Sequence, residues 1–224
     1  MDIAQQGYKG EPRQNQATAK TIGTGTLAEG IVGAGAMVVA ILGLVGILPL
    51  IMLYVATIAV GAALLFEGGA VSSRIGTMAR SERALSNEYA ELGTGMTAEF
   101  LAGAAGVVLG VLALLGIAPI TLVSIAAIVY GGALILGSSA TARINSLSFR
   151  NYETESGSQA AQEALVAASG VQMLVGIGAA VLGILALIGI APVTLTLVCM
   201  LMLGFADIIS GGAIGTRVMS MFRR

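Results

Sequence analysis

Four acidic residues interrupt the apolar stretches of this 224-residue chain: Glu29, Glu67, Glu99 and Asp207. A carboxylate in such a stretch is expensive to bury. It marks either a path for ions or protons or a hydrogen-bonded packing site. Their positions are tied to three prolines. Glu29, Glu99 and Gln172 precede Pro49, Pro119 and Pro192 by one and the same interval. Glu67 follows Pro49, and Asp207 follows Pro192 a little more closely. On a helix these offsets put Glu67 about 27 Å and Asp207 about 22 Å from their prolines. Asp207 is then the deepest charge, about 8 Å inside a bilayer core. Glu29, Glu99 and Gln172 form a candidate polar cluster able to hold a cation or relay protons. The competing reading makes Glu29 and Glu99 interfacial acids near water, favoured by the positive end of a helix dipole. Glu67 falls near the same edge, too far from Arg74 for direct pairing.

No other chemistry is legible. The chain has no His, one Cys and no Lys after Lys20. Zinc, copper and haem lose their usual ligands, and general acid–base work would fall to carboxylates, tyrosines or hydroxyls. The glycine-rich strings lie within apolar runs, without the strand of a dinucleotide loop or the lysine of a P-loop. No catalytic residue, metal centre or cofactor is expected, and an enzyme is not. The net charge of -1 argues against nucleic acid as a partner. Cys199, inside an apolar run, reads as a small core-filling side chain.

The elements that position the acids are repeated. VLGVLALLGIAP at 108–119 returns as VLGILALIGIAP at 181–192, with ten of twelve positions identical, and VVAILGLVGILP at 38–49 is a looser copy. Each copy is apolar, reaches a glycine and turns at Pro49, Pro119 or Pro192. Glycine suits the left-handed residue that closes a helix, and proline suits the first turn of the next. Hydrophobic residues make up 56% and charged residues 10%, against roughly 25% charged in soluble domains. Lipid as solvent accommodates that surplus. The spacing predicts spans at 27–46, 49–71, 97–116, 119–141, 168–189 and 192–215. The expected fold is an all-α integral membrane protein. Its six transmembrane helices form three tandem two-helix hairpin repeats with pseudo-threefold symmetry, since repeats of even span number enter the membrane the same way round.

The expected organisation is a polar cytoplasmic tail at 1–25, hairpins at 26–75, 96–142 and 167–218, linkers at 76–95 and 143–166, and a basic end at 219–224. The tail reads as a solvated arm with no signal peptide. Met78, Leu85, Tyr89 and Leu92 give 77–92 an amphipathic stripe, suited to a membrane surface, a partner or the bundle itself. A helix from about 158 should run unbroken into the fifth span. The 11 basic residues all fall on one side of the six-span topology. The positive-inside rule makes that side cytoplasmic, with both termini. Small residues repeat at Gly106-xxx-Gly110, Ala36-xxx-Ala40, Ala102-xxx-Gly106 and Ala179-xxx-Gly183, and glycines recur at Gly33, Gly103 and Gly176 and at Gly61, Gly131 and Gly204. They serve either packing within the bundle or association with another helix.

The run from Gly176 to Pro192, followed by Gly204 and Gly211-Gly212, resembles the HdeD-like family of small bacterial inner-membrane proteins. Gly103 to Pro119 with Gly131-Gly132 is the equivalent piece. The resemblance implies two-helix repeats with proline turns and an association with acid stress. It supplies no catalytic residues. Two main functions are therefore expected to compete. One is a non-enzymatic accessory or structural subunit that packs on copies of itself or on another membrane protein. The other is a small channel or carrier for protons, ions or a small solute. A lipid or quinone site between repeats is a third. The bilayer is the one partner common to all.

Overall fold

A computed structural model describes the chain over residues 11–81, 86–148 and 159–222, with side chains at 28–68, 98–138, 167 and 169–210. Among the described residues there are six helices and no strand: α1 (Glu11–Leu44), α2 (Pro49–Ser81), α3 (Ser86–Leu114), α4 (Pro119–Ser148), α5 (Gln159–Leu187) and α6 (Pro192–Phe222). Four of them contain segments long and apolar enough to cross a membrane: Pro49–Gly68, Pro119–Ser138, Ser169–Leu187 and Pro192–Ser210. The apolar parts of α1 and α3, Ala28–Leu44 and Ala98–Leu114, are shorter.

The helices run further than the hydropathy pattern indicates. α1 starts at Glu11, inside the stretch expected to be a solvated arm. Pro12 suits a first helical turn, and the Ala, Gln and Lys residues after it are good helix formers. Residues 77–81 continue α2 and residues 86–92 open α3, so the described parts of the expected linker belong to those two helices. Its side chains lie outside the described residues. α5 runs unbroken from Gln159 into its apolar segment.

The three connections have one geometry. Gly46, Gly116 and Gly189 have φ of 96°, 85° and 92°. The Gly46 amide donates to the Gly43 carbonyl and the Ile47 amide to the Leu42 carbonyl, at 3.1 and 3.0 Å. That pair of bonds is a Schellman closure, which satisfies carbonyls a helix end otherwise leaves open. The other two turns repeat it: Gly116 and Ile117 donate to Ala113 and Leu112, and Gly189 and Ile190 to Ala186 and Leu185. Leu48, Ala118 and Ala191 also have positive φ, at 43°, 37° and 38°. Their carbonyls accept from Met52, Leu122 and Leu195, opening the next helix behind its proline.

α2, α4 and α6 touch one another at the centre. α1 lies on α2 and α6, α3 on α2 and α4, and α5 on α4 and α6. Glycine pairs set three of these crossings. A Cβ on Gly33 would lie 3.1 Å from the Gly204 carbonyl oxygen, one on Gly61 2.9 Å from that of Gly103, and one on Gly131 2.5 Å from that of Gly176. Backbone meets backbone there, so any side chain would force α1 from α6, α2 from α3 or α4 from α5. Ala36, Ala40, Ala102, Gly106, Gly110, Ala179 and Gly183 are likewise buried. The small-residue faces are used within the chain.

The interior is filled. Leu53, Val60 and Leu64 of α2, Val123, Tyr130 and Leu134 of α4, and Leu197, Met200 and Leu203 of α6 are almost wholly buried. Tyr130 lies against Gly106, and its hydroxyl donates to the Thr57 carbonyl at 2.8 Å. Large apolar side chains such as Ile31, Leu101 and Leu174 cover the outside, an arrangement suited to lipid rather than water.

Candidate functional site

The helices bring the acids inward. Glu29 is 0% exposed, Asp207 1%, Glu99 4% and Glu67 9%. Their place along the helices corrects the helix-dipole reading of Glu29 and Glu99. α1 begins at Glu11 and α3 at Ser86, several turns ahead of the two glutamates, so neither is in a first turn. A helix dipole acts within the first turn, and it offers these two carboxyls nothing.

Three of the acids converge. Glu29 of α1, Glu67 of α2 and Asp207 of α6 each place a carboxyl oxygen within 4.8 Å of the other two. Two neighbours brace them. The Gln172 amide of α5 donates to Glu67 Oε1 at 2.9 Å. The Ser210 hydroxyl donates to Glu29 Oε1 and lies 3.2 Å from the Asp207 carbonyl oxygen. Glu29 Oε2, Glu67 Oε2 and Asp207 Oδ2 are buried with no hydrogen-bond partner. Glu99 stands beside this group, in electrostatic contact with Glu67 and Asp207. Its carboxyl occupies the space a side chain at Gly137 of α4 would need. All six helices therefore contribute, five with side chains and α4 by leaving room.

The expected cluster of Glu29, Glu99 and Gln172 is thus only part of the observed one. Glu67 and Asp207 complete the tight group, and Glu99 lies next to it rather than in it. Sequence reasoning missed Ser210. The signal was the register, because Ser210 stands after Pro192 at the interval that separates Glu67 from Pro49 and Gly137 from Pro119.

Among the residues whose side chains are described there is no Lys, Arg or His. Two full negative charges 4.8 Å apart repel by about 3.5 kcal/mol at an effective dielectric of about 20. Three together in a site this dry need positive charge, and either protons or a cation can supply it. The donors are all oxygen, which suits a hard cation. One turn before Glu67 and Asp207 stand Leu64 and Leu203, and beyond them the filled interior continues toward the proline turns. Compared with protein-family models, curated proteins and solved structures, the chain shows no match.

Proposed function

We propose that this is a membrane protein that takes up protons or small cations at the group formed by Glu29, Glu67 and Asp207, and that it works as a carrier. The observation that carries the proposal is the convergence of three buried carboxyls, each with an unpartnered oxygen and with no basic residue among the described side chains. Such a site is costly to keep for packing alone, since apolar residues of similar volume pack as well or better. The filled interior favours a carrier over an open pore: an ion leaving toward the proline turns requires α2, α4 and α6 to rearrange.

The finer architecture is part of the same proposal. Six spans arranged as three hairpins about a pseudo-threefold axis, with both termini cytoplasmic in an inner membrane, accommodate the common turn geometry, the three glycine crossings and the return of α6 onto α1. The apolar parts of α1 and α3 are short, but 17 residues of helix cover about 25 Å, and the polar continuation reaches the headgroups. An accessory subunit that self-associates through its small residues loses that support, because those residues are already packed inside.

The test is flux into liposomes carrying the purified protein, followed with pH- and cation-sensitive dyes. Transport above protein-free liposomes, and its loss in Asp207→Asn and Glu67→Gln, is the expected result. Flux no greater than in empty liposomes, or flux that both variants retain in full, would remove the proposal.

A further inference from the structure

We infer that the cargo of this site is a hard divalent cation of calcium's size, held by Glu29, Glu67 and Asp207; the inference rests on the carrier reading above and names its substrate class. Four features converge on it. The first is the donor set. The three carboxyls present oxygen alone, and among the described residues no imidazole or thiolate joins them to favour zinc or copper. The second is bracing. Gln172 and Ser210 hold one oxygen of Glu67 and one of Glu29, while the second oxygen of each has no partner. Metal sites use this arrangement, in which outer hydrogen bonds orient the ligating carboxylates.

The third feature is charge. Ionised together, the three carboxyls with Glu99 beside them would make a strongly negative site in buried surroundings. A doubly charged ion neutralises more of it than sodium or potassium, and uncompensated charge is what such surroundings penalise. The fourth is size. Oxygens within 4.8 Å of one another can share one ion at bonds of about 2.3–2.6 Å. Magnesium holds its waters and demands near-octahedral geometry, whereas calcium accepts irregular sets of carboxylate oxygens. Asp207 Oδ2, on a side chain 1% exposed, is buried in this group with no protein donor to meet it.

Equilibrium binding to the full-length protein in detergent tests this, using radioactive calcium with sodium, potassium and magnesium as competitors. Terbium serves as a second probe. The chain has no Trp, and Tyr130 is close enough to Asp207 to interact with it electrostatically, so tyrosine excitation should sensitise bound terbium. The expected result is one calcium per chain and competition by magnesium at least about 10-fold weaker than by unlabelled calcium. Asp207→Asn should weaken binding at least about 10-fold, and Tyr130→Phe should lower the terbium signal without displacing calcium. Asp207→Leu guards against a folding artefact, because leucine already fills the corresponding places at Leu64 and Leu134; it should elute as the wild type and bind no calcium. Absence of saturable calcium binding, or binding unchanged in both Asp207 variants, would overturn the inference. If liposomes still carried protons or sodium in that event, the carrier reading would survive; if they carried nothing, both would fall.

Discussion

Gln172 on α5 donates a hydrogen bond to Glu67 on α2 at 2.9 Å, although those two helices are not packed against each other. The two side chains meet over the middle of the bundle, so the bond ties the third hairpin to the first. Removing it strands a buried acceptor, which typically costs about 1–3 kcal/mol. Gln172→Leu should therefore lower the melting temperature in detergent and weaken cation uptake, since Glu67 loses its brace. Gln172→Glu, which places at 172 the residue found at 29 and 99, adds an acid to an already crowded site. Its stability should depend more steeply on added cation than that of the wild type. Equal melting of all three proteins with and without cation would show that the bond holds nothing together.

Asp207 makes the opposite kind of prediction. At one and the same distance beyond its proline each hairpin has Leu64, Leu134 or Asp207, and all three are buried. Replacing a buried ion pair or triad by well-packed apolar residues is often neutral or stabilising, by about 1–4 kcal/mol, and an acid among acids has no pair to lose. Asp207→Leu should melt no lower than the wild type, and higher in the absence of cation, while flux disappears. A protein selected for packing alone would not carry the aspartate. A clear fall in melting temperature for Asp207→Leu would argue that the acid is structural.

Much of the frame was legible because it rests on residues with strong local preferences. Glycine at 46, 116 and 189 takes the positive φ that closes a helix, and the prolines fix the start of the next. The glycines that meet at the helix crossings could be picked out by their common spacing from those prolines. The site was harder. Register along a helix gave the depth of Glu29, Glu67 and Asp207 but not their direction around the axis. That direction depends on which neighbour each helix packs against, and α1 lying on α6 is not a local property. The first-turn reading of Glu29 failed for another reason. Hydropathy marks where a helix meets lipid, whereas α1 has already run from Glu11 through polar sequence before it reaches Glu29. Serine at 210 carries so little signal alone that only its register with Glu67 could have drawn it into the site.

Gly137 gives a steric test of the fourth acid. A Cβ there would fall on the Glu99 carboxyl, whereas a Cβ at Gly132 would meet nothing within 4 Å. Gly137→Ala should push Glu99 out of its seat, lowering stability by about 1–3 kcal/mol through overpacking. Gly132→Ala, on the same helix, should be neutral or stabilising by about 0.5–1 kcal/mol, because alanine restricts the unfolded chain more than glycine. If Glu99 contributes to cation affinity, Gly137→Ala should weaken binding and Gly132→Ala should not. Matching behaviour of the two variants in melting and binding assays would show that Glu99 has room to spare.

The Tyr130 seat can be examined by a double-mutant cycle. Its ring lies where a side chain at Gly106 would stand, and its hydroxyl bonds to the Thr57 carbonyl. Tyr130→Phe removes only the hydrogen bond and should cost about 0.5–1.5 kcal/mol. Gly106→Ala confronts the ring itself and should cost more, about 1–3 kcal/mol, because overpacking shifts α3 from α4. At the matching register the other two hairpins carry Val60 and Leu203, so an aliphatic side chain suits this position. Tyr130→Leu should vacate the space that Gly106→Ala needs. The double variant should then be more stable than the sum of the two single losses predicts, by about 0.5–3 kcal/mol, the range of coupling seen between residues in contact. Strict additivity would mean that glycine at 106 is there for backbone freedom rather than to admit the tyrosine. Because α1, α3 and α5 each wedge between two inner helices, a displaced α3 should also loosen Glu99. The Gly106→Ala single variant should consequently bind cation less tightly, and the double variant should recover that affinity along with its stability.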